Sequence, residues 1–304
     1  MASQRDVKNR ISSVRNIQKI TRAMEMVAGA RLRRAEQRIA ALRPYADALR
    51  RMTRQAAKAA GAEATRLPLL AEHERTSNVG LLLVTGDRGL AGGFNSQIIR
   101  AGVRVGDEYA EDGVQTRWYS TGRRGVSSLT FRGRELSGSY TGFADKPAYA
   151  DARSIADDLM TGYIDGELDR VEIIYNAYIS PLTQHVTRET LLSLSSATIA
   201  AEEEQEQGAP GAESEPAHRA LVAYEPDPEE ILKRLVPDYV EISIYRALVE
   251  STAGFFGAQM TAMRSASDNA GEIITDLTLQ MNRARQAEIT QEIMEVVAGA
   301  EGVS

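Results

Sequence analysis

The stretch "VTGDRGLAGGFN", residues 84–95, follows an apolar run and carries four glycines in eight residues, Gly86 to Gly93. Glycine-rich loops after a strand can cradle phosphate with backbone N–H groups, so this segment is the first candidate for chemistry. A Walker A loop needs a second glycine five positions after the first and then Lys-Ser or Lys-Thr. Counting from Gly86, that glycine position is Ala91, and no such pair follows. The dinucleotide pattern G-x-G-x-x-G also fails, because Gly86 meets Arg88 and Gly89 meets Ala91 two positions on. Asp87 places a carboxylate where a phosphate would want only donors, and Arg88 is the one residue suited to hold an anion there. The spacing therefore reads as a strand-to-helix turn in which glycines permit close backbone approach.

Other chemistry is scarce. With no cysteine there is no disulfide, thiolate metal site or thiol switch. His73, His185 and His218 are scattered, without a second histidine or paired carboxylate at metal-ligand spacing, so no metal is expected. No G-x-S-x-G elbow or H-E-x-x-H helix occurs, and no cofactor is implied. The acidic runs "EEE" (202–204) and "DPEE" (227–230) read as solvated charge.

The elements that would position these residues fall into three regions. Residues 3–60 read as one long helix. Leu32, Ala35, Ile39, Leu42, Ala46 and Leu49 alternate four- and three-residue steps from Ala28, the seam of a coiled coil. Upstream, Val7, Ile11, Val14, Ile17, Ile20, Met24 and Val27 continue the stripe with one phase slip, and Pro44 should kink or loosen the helix. Residues 228–300 form a second such segment, with a seam of Ile242, Tyr245, Val249, Thr252, Phe256, Gln259, Met263, Ala266, Ala270, Ile273 and Leu277. A lone helix of either length would expose its stripe, so the two chain ends are expected to wrap each other, antiparallel.

Between them, about residues 76–200, the period changes. "NVGLLLVTG", "VQTRWYSTG", "DRVEIIYNAYIS" and "QHVTRETLLSLS" read as strands, alternating with helices over "FNSQIIRAGVRVGDEYAEDG" and "AYADARSIADDLMTGYIDG". That alternation predicts an α/β domain of Rossmann-like type with a mainly parallel sheet. Residues 201–220 are acidic and almost free of apolar side chains, a solvated flexible loop leading to a foot region that ends at 227. The domain plan is a shaft from 1–60 and 228–304, a globular domain over 76–200, and this loop.

Net charge is −6, yet residues 1–60 hold 15 Lys and Arg against 4 Asp and Glu, leaving −17 on the rest. A basic arm on an acidic protein points to an acidic partner. The first residues are basic and acid-poor as a presequence would be, but their helical period runs on without a break, so they are read as part of the fold.

Several stretches also resemble one family. "SVRNIQKITRAMEMVAGARLRRA" (13–35), "RPYA" (43–46), "DRGLAGGFN" (87–95), "YEPDP" (224–228), "SASDNA" (265–270) and "ARQAEITQEIMEVVAGA" (284–300) are similar to the γ subunits of F-type ATP synthases. The likeness runs through nearly the whole chain in order, with the acidic insert near 201–220 as the chief departure. It implies a non-catalytic rotor shaft, its terminal helices inside the ring of α and β subunits and its α/β domain against the ε subunit and the membrane c-ring. The nucleotide chemistry would belong to β, and the glycine loop to a scaffold. Membrane contact would pass only through the c-ring, at the cytoplasmic face of a bacterial plasma membrane, with no nucleic acid bound. Carried onto matching positions, the β-subunit contacts would be Arg285, Gln286, Thr290 and Glu292, with Lys19, Arg22, Met24, Arg33 and Arg34 on the basic helix. Tyr224 and Glu225 would meet the c-ring.

Two readings from other classes stand beside this one. A nucleic-acid-binding coiled coil would use the basic arm on phosphates, although residues 1–60 contain one aromatic, Tyr45. A nucleotide-binding enzyme would be built on residues 76–200 and would show a stoichiometric ATP or NAD site.

Overall fold

The computed structural model describes residues 4–71, 73, 75–192 and 227–301, so the acidic insert and Tyr224 and Glu225 lie outside the described residues. Helix α1 spans Gln4–Ala60 and is followed by a 3-10 turn over Gly61–Arg66. Then come β1 (Asn78–Val84), α2 (Phe94–Glu111), β2 (Gln115–Thr121), α3 (Arg123–Phe131) and β3 (Leu136–Tyr140). They are followed by α4 (Tyr149–Ile164), β4 (Arg170–Tyr178), β5 (Gln184–Leu192) and α5 (Pro228–Glu301). The chain divides into two units, Arg31–Ala258 and Met1–Ala30 with Gln259–Ser304.

In the larger unit the sheet order is β3-β2-β1-β4-β5. Strand β1 pairs parallel with β2 and β4, β2 parallel with β3, and only β4 with β5 antiparallel. This is the mainly parallel sheet expected of alternating strands and helices. Sheet burial follows from composition: Leu81, Leu82 and Leu83 are fully enclosed, as a central strand covered on both faces requires. One face packs under α4 and the first half of α5, through Ile155, Leu159, Leu232, Val240 and Leu248. Helix α2 covers the other, and Gly106 explains its closeness, since a Cβ there would stand 2.5 Å from the Trp118 ring.

The sequence pattern did not show α3 or β3. Helix α3 has nine residues with Gly125 near its start, and β3 is a five-residue edge strand, LSGSY, without an apolar run. Neither carries enough hydrophobic periodicity to announce itself.

The terminal helices meet along the expected seam in the larger unit, where Leu32, Ala35, Ile39, Ala46 and Leu49 are buried and Leu42 is half-buried. Ala46 and Leu49 pack on Ile242. Helix α1 runs unbroken through Pro44 rather than ending there. Pro44 and Ala40 both face solvent, so the carbonyl deprived of its partner can bond water, and the expected loosening leaves no interruption.

The smaller unit corrects the upstream seam. Its core is Val7, Ile11 and Leu277, with Val14, Ile274 and Met281 packed against it, so α1 and α5 are antiparallel. The seam continues through Gln18, Thr21, Glu25 and Ala28 without a phase slip. Ile17, Ile20 and Val27, expected inside, are 52–59% exposed. Ile273, expected inside, is likewise 48% exposed, and its neighbour Ile274 takes the core position. Apolar counting chose the hydrophobic neighbours and passed over the polar residues that hold the register.

Those polar residues are paired. The Thr21 and Ser267 hydroxyls lie 2.6 Å apart, and Gln18 Nε2 donates to the Ser267 carbonyl at 3.2 Å. Arg264 Nε donates to Glu25 at 2.9 Å. A buried polar layer of this kind fixes the register of a coiled coil. Thr21→Val alone strands the Ser267 hydroxyl and is expected to cost about 1–3 kcal/mol, whereas Thr21→Val with Ser267→Ala should be close to neutral. Urea unfolding of the two variants measures the difference, and equal losses would contradict a paired layer.

Candidate functional site

Open α/β sheets bind ligands at the carboxyl ends of the strands where the strand order reverses, here between β1 and β4. The glycine loop stands at that point, and its backbone groups are already committed. Asp87 accepts N–H bonds from Arg123 at 3.1 Å, Gly142 at 3.1 and 3.2 Å, and Ala144 at 3.2 Å. The carboxylate thus takes the donors that a bound phosphate would require. Asn95 closes the loop by accepting from the Gly86 N–H at 2.8 Å and donating to the Arg88 carbonyl at 3.0 Å. Arg88, the anion candidate, pairs instead with Asp145 at 3.4 Å.

Helix α5 fills the rest of the crevice. Phe255 lies so near Gly86 that a Cβ there would be 3.0 Å from its ring, and it meets Phe94 edge-on at 5.6 Å. The Thr252 hydroxyl is shared between the Ala144 carbonyl at 2.9 Å and the Leu248 carbonyl of its own helix at 2.8 Å. What remains is a cavity of about 10 Å³ lined by Thr85, Gly86, Thr121, Ser251 and Phe255. That is room for one water, where nucleotide pockets run to hundreds of Å³. Gly122 is required here by its φ of 79° and because a Cβ would sit 2.2 Å from the Thr85 carbonyl oxygen.

Two buried or half-buried carboxylates elsewhere in this unit are paired with arginine. Glu172, 1% exposed, accepts from Arg188 at 2.7 Å and from Tyr109 at 2.8 Å. Glu189 takes Arg246 at 2.6 Å and the Tyr175 hydroxyl at 2.7 Å. Burial pushes the Glu250 carboxyl above its ordinary range, with Arg246 and the Tyr178 N–H opposing. Such networks perturb titration without forming a catalytic pair. Among the described residues no His, Asp and Glu group gathers to hold a metal ion.

The surfaces left open are on the helices. Arg285, Gln286, Thr290 and Glu292 are all exposed, and the Thr290 hydroxyl bonds back to the Gln286 carbonyl at 2.8 Å. All residues from Arg285 to Val296 are exposed, because α5 here extends past the Val7–Leu277 layer near the start of α1. At helical spacing Ile289, Ile293 and Val296, 48%, 57% and 72% exposed, form one stripe. Arg285 and Glu292 flank it on one side, Gln286 and Thr290 on the other. The sequence resemblance named the flanking polar residues and not Ile289 and Ile293, whose exposure the structure adds and whose i,i+4 spacing stands in the sequence.

On α1 of the smaller unit Lys19 and Arg22 are exposed, Met24 is half-buried, and Ile17, Ile20 and Val27 form a second open apolar flank. In the larger unit Arg33 and Arg34 are exposed. Arg34 lines a 330 Å³ groove with Arg31, Arg38 and Lys146, a basic surface beside Phe256. Exposed apolar stripes edged by charge mark places where another protein sits. No helix among the described residues is long and apolar enough to cross a membrane.

Comparison with known proteins gives the family. A family model described as ATP synthase matches residues 3–303. The ATP synthase gamma chain of Rubrobacter xylanophilus is 41% identical over 304 residues, covering 100% of this chain and 99% of its own length. That of Streptomyces coelicolor is 40% identical over 307 residues, covering 100% and 97%. In fold, the chain is similar to one in the rotor of the Euglena gracilis mitochondrial ATP synthase, with a TM-score of 0.64, 16% identity, and 94% and 98% coverage. A filled crevice, a paired helical shaft and full-length likeness to these relatives lead to one assignment: the chain belongs to the ATP synthase gamma chain family.

Proposed function

We propose that this chain is the non-catalytic central rotor stalk of a proton-translocating F-type ATP synthase and transmits torque between the membrane c-ring and the nucleotide sites on β. The observation that carries this reading is the exposed end of α5, where Ile289, Ile293 and Val296 lie open along a helix without a partner among the described residues. An apolar stripe so placed is costly in water, at about 25 cal/mol per Å² of apolar surface, and is explained by a sleeve of other subunits.

The shaft comprises residues 1–60 and 228–304, and the body residues 76–200, which meets the ε subunit and c-ring. Arg285, Gln286, Thr290 and Glu292 engage β beside the apolar stripe. Lys19, Arg22, Arg33 and Arg34 face acidic segments of β, and Met24 lies at the edge of that contact. Tyr224 and Glu225 serve as the c-ring foot. The chain works at the cytoplasmic face of a bacterial plasma membrane, held there through the c-ring.

One shaft must present a different face to each of several identical sites. Moving a site from 1:99 to 99:1 between two conformations takes about 5.5 kcal/mol of differential interaction, which contacts that change with shaft angle supply. Mixing the full chain with α, β and ε subunits tests the assignment. One gamma chain should co-purify per hexamer, and a bead on its body should rotate on ATP. An unassembled chain that binds duplex or transfer RNA with steep salt dependence would establish the nucleic-acid reading instead.

A further inference from the structure

The loop between β3 and α4, residues 141–148, is fastened from three directions within the larger unit. Its Gly142 and Ala144 N–H groups donate to Asp87, which projects from the end of β1 and also holds the Arg123 N–H at the start of α3. Its Ala144 carbonyl accepts the Thr252 hydroxyl of α5 at 2.9 Å. Its Asp145 carboxylate pairs with Arg31 of α1 at 3.1 Å and with Arg88 at 3.4 Å. Arg31 in turn lies over the Phe256 ring of α5 at 5.5 Å. One loop therefore joins the sheet to both helices at a single level.

Apolar packing between the sheet and α5 opposes separation but has no preferred direction. The angle between them is therefore set by directional bonds, which include Arg246 of α5 with Glu189 of β5 at 2.6 Å and the Tyr178 N–H with Glu250 at 3.4 Å as well as those of this loop. Hydrogen bonds to a carboxylate are directional and stronger than neutral ones. We infer that the 141–148 loop is a torque buckle that fixes the angle of the α/β body on the helices in this unit. Asp87 is its positioning residue, a carboxylate built into the crevice where other α/β proteins hold a ligand's phosphate. The inference rests on the rotor reading and adds an element through which the body's rotation passes to the helices.

The test uses Asp87→Ala in the full chain and in the assembled complex. Hydrogen exchange at the Arg123, Gly142 and Ala144 amides should accelerate about ten-fold or more, since each loses a bond to a charged acceptor. Excess formate, a free carboxylate of the right size, should slow it again. In the complex, with the hexamer immobilised and a bead on the body, the variance of the resting angle should widen about two-fold, because one fastening is lost while those of Thr252, Asp145 and the Arg246–Glu189 pair remain. Formate should narrow it.

Faster exchange with unchanged angular variance would overturn the proposal and leave Asp87 as a purely structural residue. Should Asp87→Ala fail to fold, Thr252→Val provides the second variant, since it keeps the side-chain shape and removes the hydroxyl that reaches both the Ala144 carbonyl and the Leu248 carbonyl within α5, the second of which bears on the helix alone. Its angular variance should also widen, and no widening would equally overturn the buckle. A wild-type bead that does not turn on ATP would instead count against the rotor reading.

Discussion

Arg285→Glu combined with Gln286→Ala is expected to reduce ATP-driven proton pumping by about ten-fold in the reconstituted complex, within the range of coupling free energies between linked sites. The two residues stand on opposite flanks of the Ile289–Ile293–Val296 stripe, so the pair of changes alters both edges of one surface and leaves its apolar centre intact. Neither side chain is buried, and neither belongs to the Val7–Leu277 core. The chain's own stability should therefore move by no more than about 0.5 kcal/mol, as for surface substitutions in general. Pumping assays with the thermal unfolding of the isolated variant separate the two effects. Undiminished pumping would remove these residues from the contact with β, and a lowered unfolding midpoint would show that they support the helix instead.

Phe255→Ala is expected to destabilise the larger unit by about 3–5 kcal/mol, the usual cost of truncating a buried aromatic ring. The ring is 5% exposed, stacks edge-on against Phe94 and Phe256, and fills the space over Gly86. Urea unfolding followed at Trp118 measures the loss. The same variant examines why the crevice is not a nucleotide site. Removing the ring opens room, but Asp87 still holds the Arg123, Gly142 and Ala144 N–H groups, so calorimetry should show no stoichiometric ATP binding. Tight ATP binding by the variant would mean that bulk alone had closed the site.

Four of the helices, four of the strands and the mainly parallel sheet were legible because they rest on periodic burial, which the order of apolar and polar residues records directly. The glycine loop was correctly read as a turn, since the missing lysine and the carboxylate at Asp87 are visible in one dimension. Its partners were not: Gly142 and Ala144 lie 55 and 57 residues away in sequence, and only the topology brings their amides to Asp87. The seam near residues 17–27 misled for a different reason. Periodicity assigns apolar residues to the inside, yet Ile17, Ile20 and Val27 face outward while Gln18, Thr21 and Glu25 face α5. Helix α1 here carries two apolar faces, and counting within one chain cannot tell which belongs to its own partner helix.

The seam in the smaller unit has a further consequence. Beside Val7, Ile11, Met263 and Leu277 it buries Thr21, Ala28, Ser267 and Ala270, and a Cβ added at Gly29 or Gly271 would be in contact with Met260 or Gln18. Small residues let two helix axes approach toward the near end of the usual spacing of about 8–10 Å, so the Thr21–Ser267 and Ala28 levels are where the pair can be slimmest. Leucines at the same places would thicken it. A bore formed by neighbouring subunits could then close tightly around a slim spindle and still let it spin.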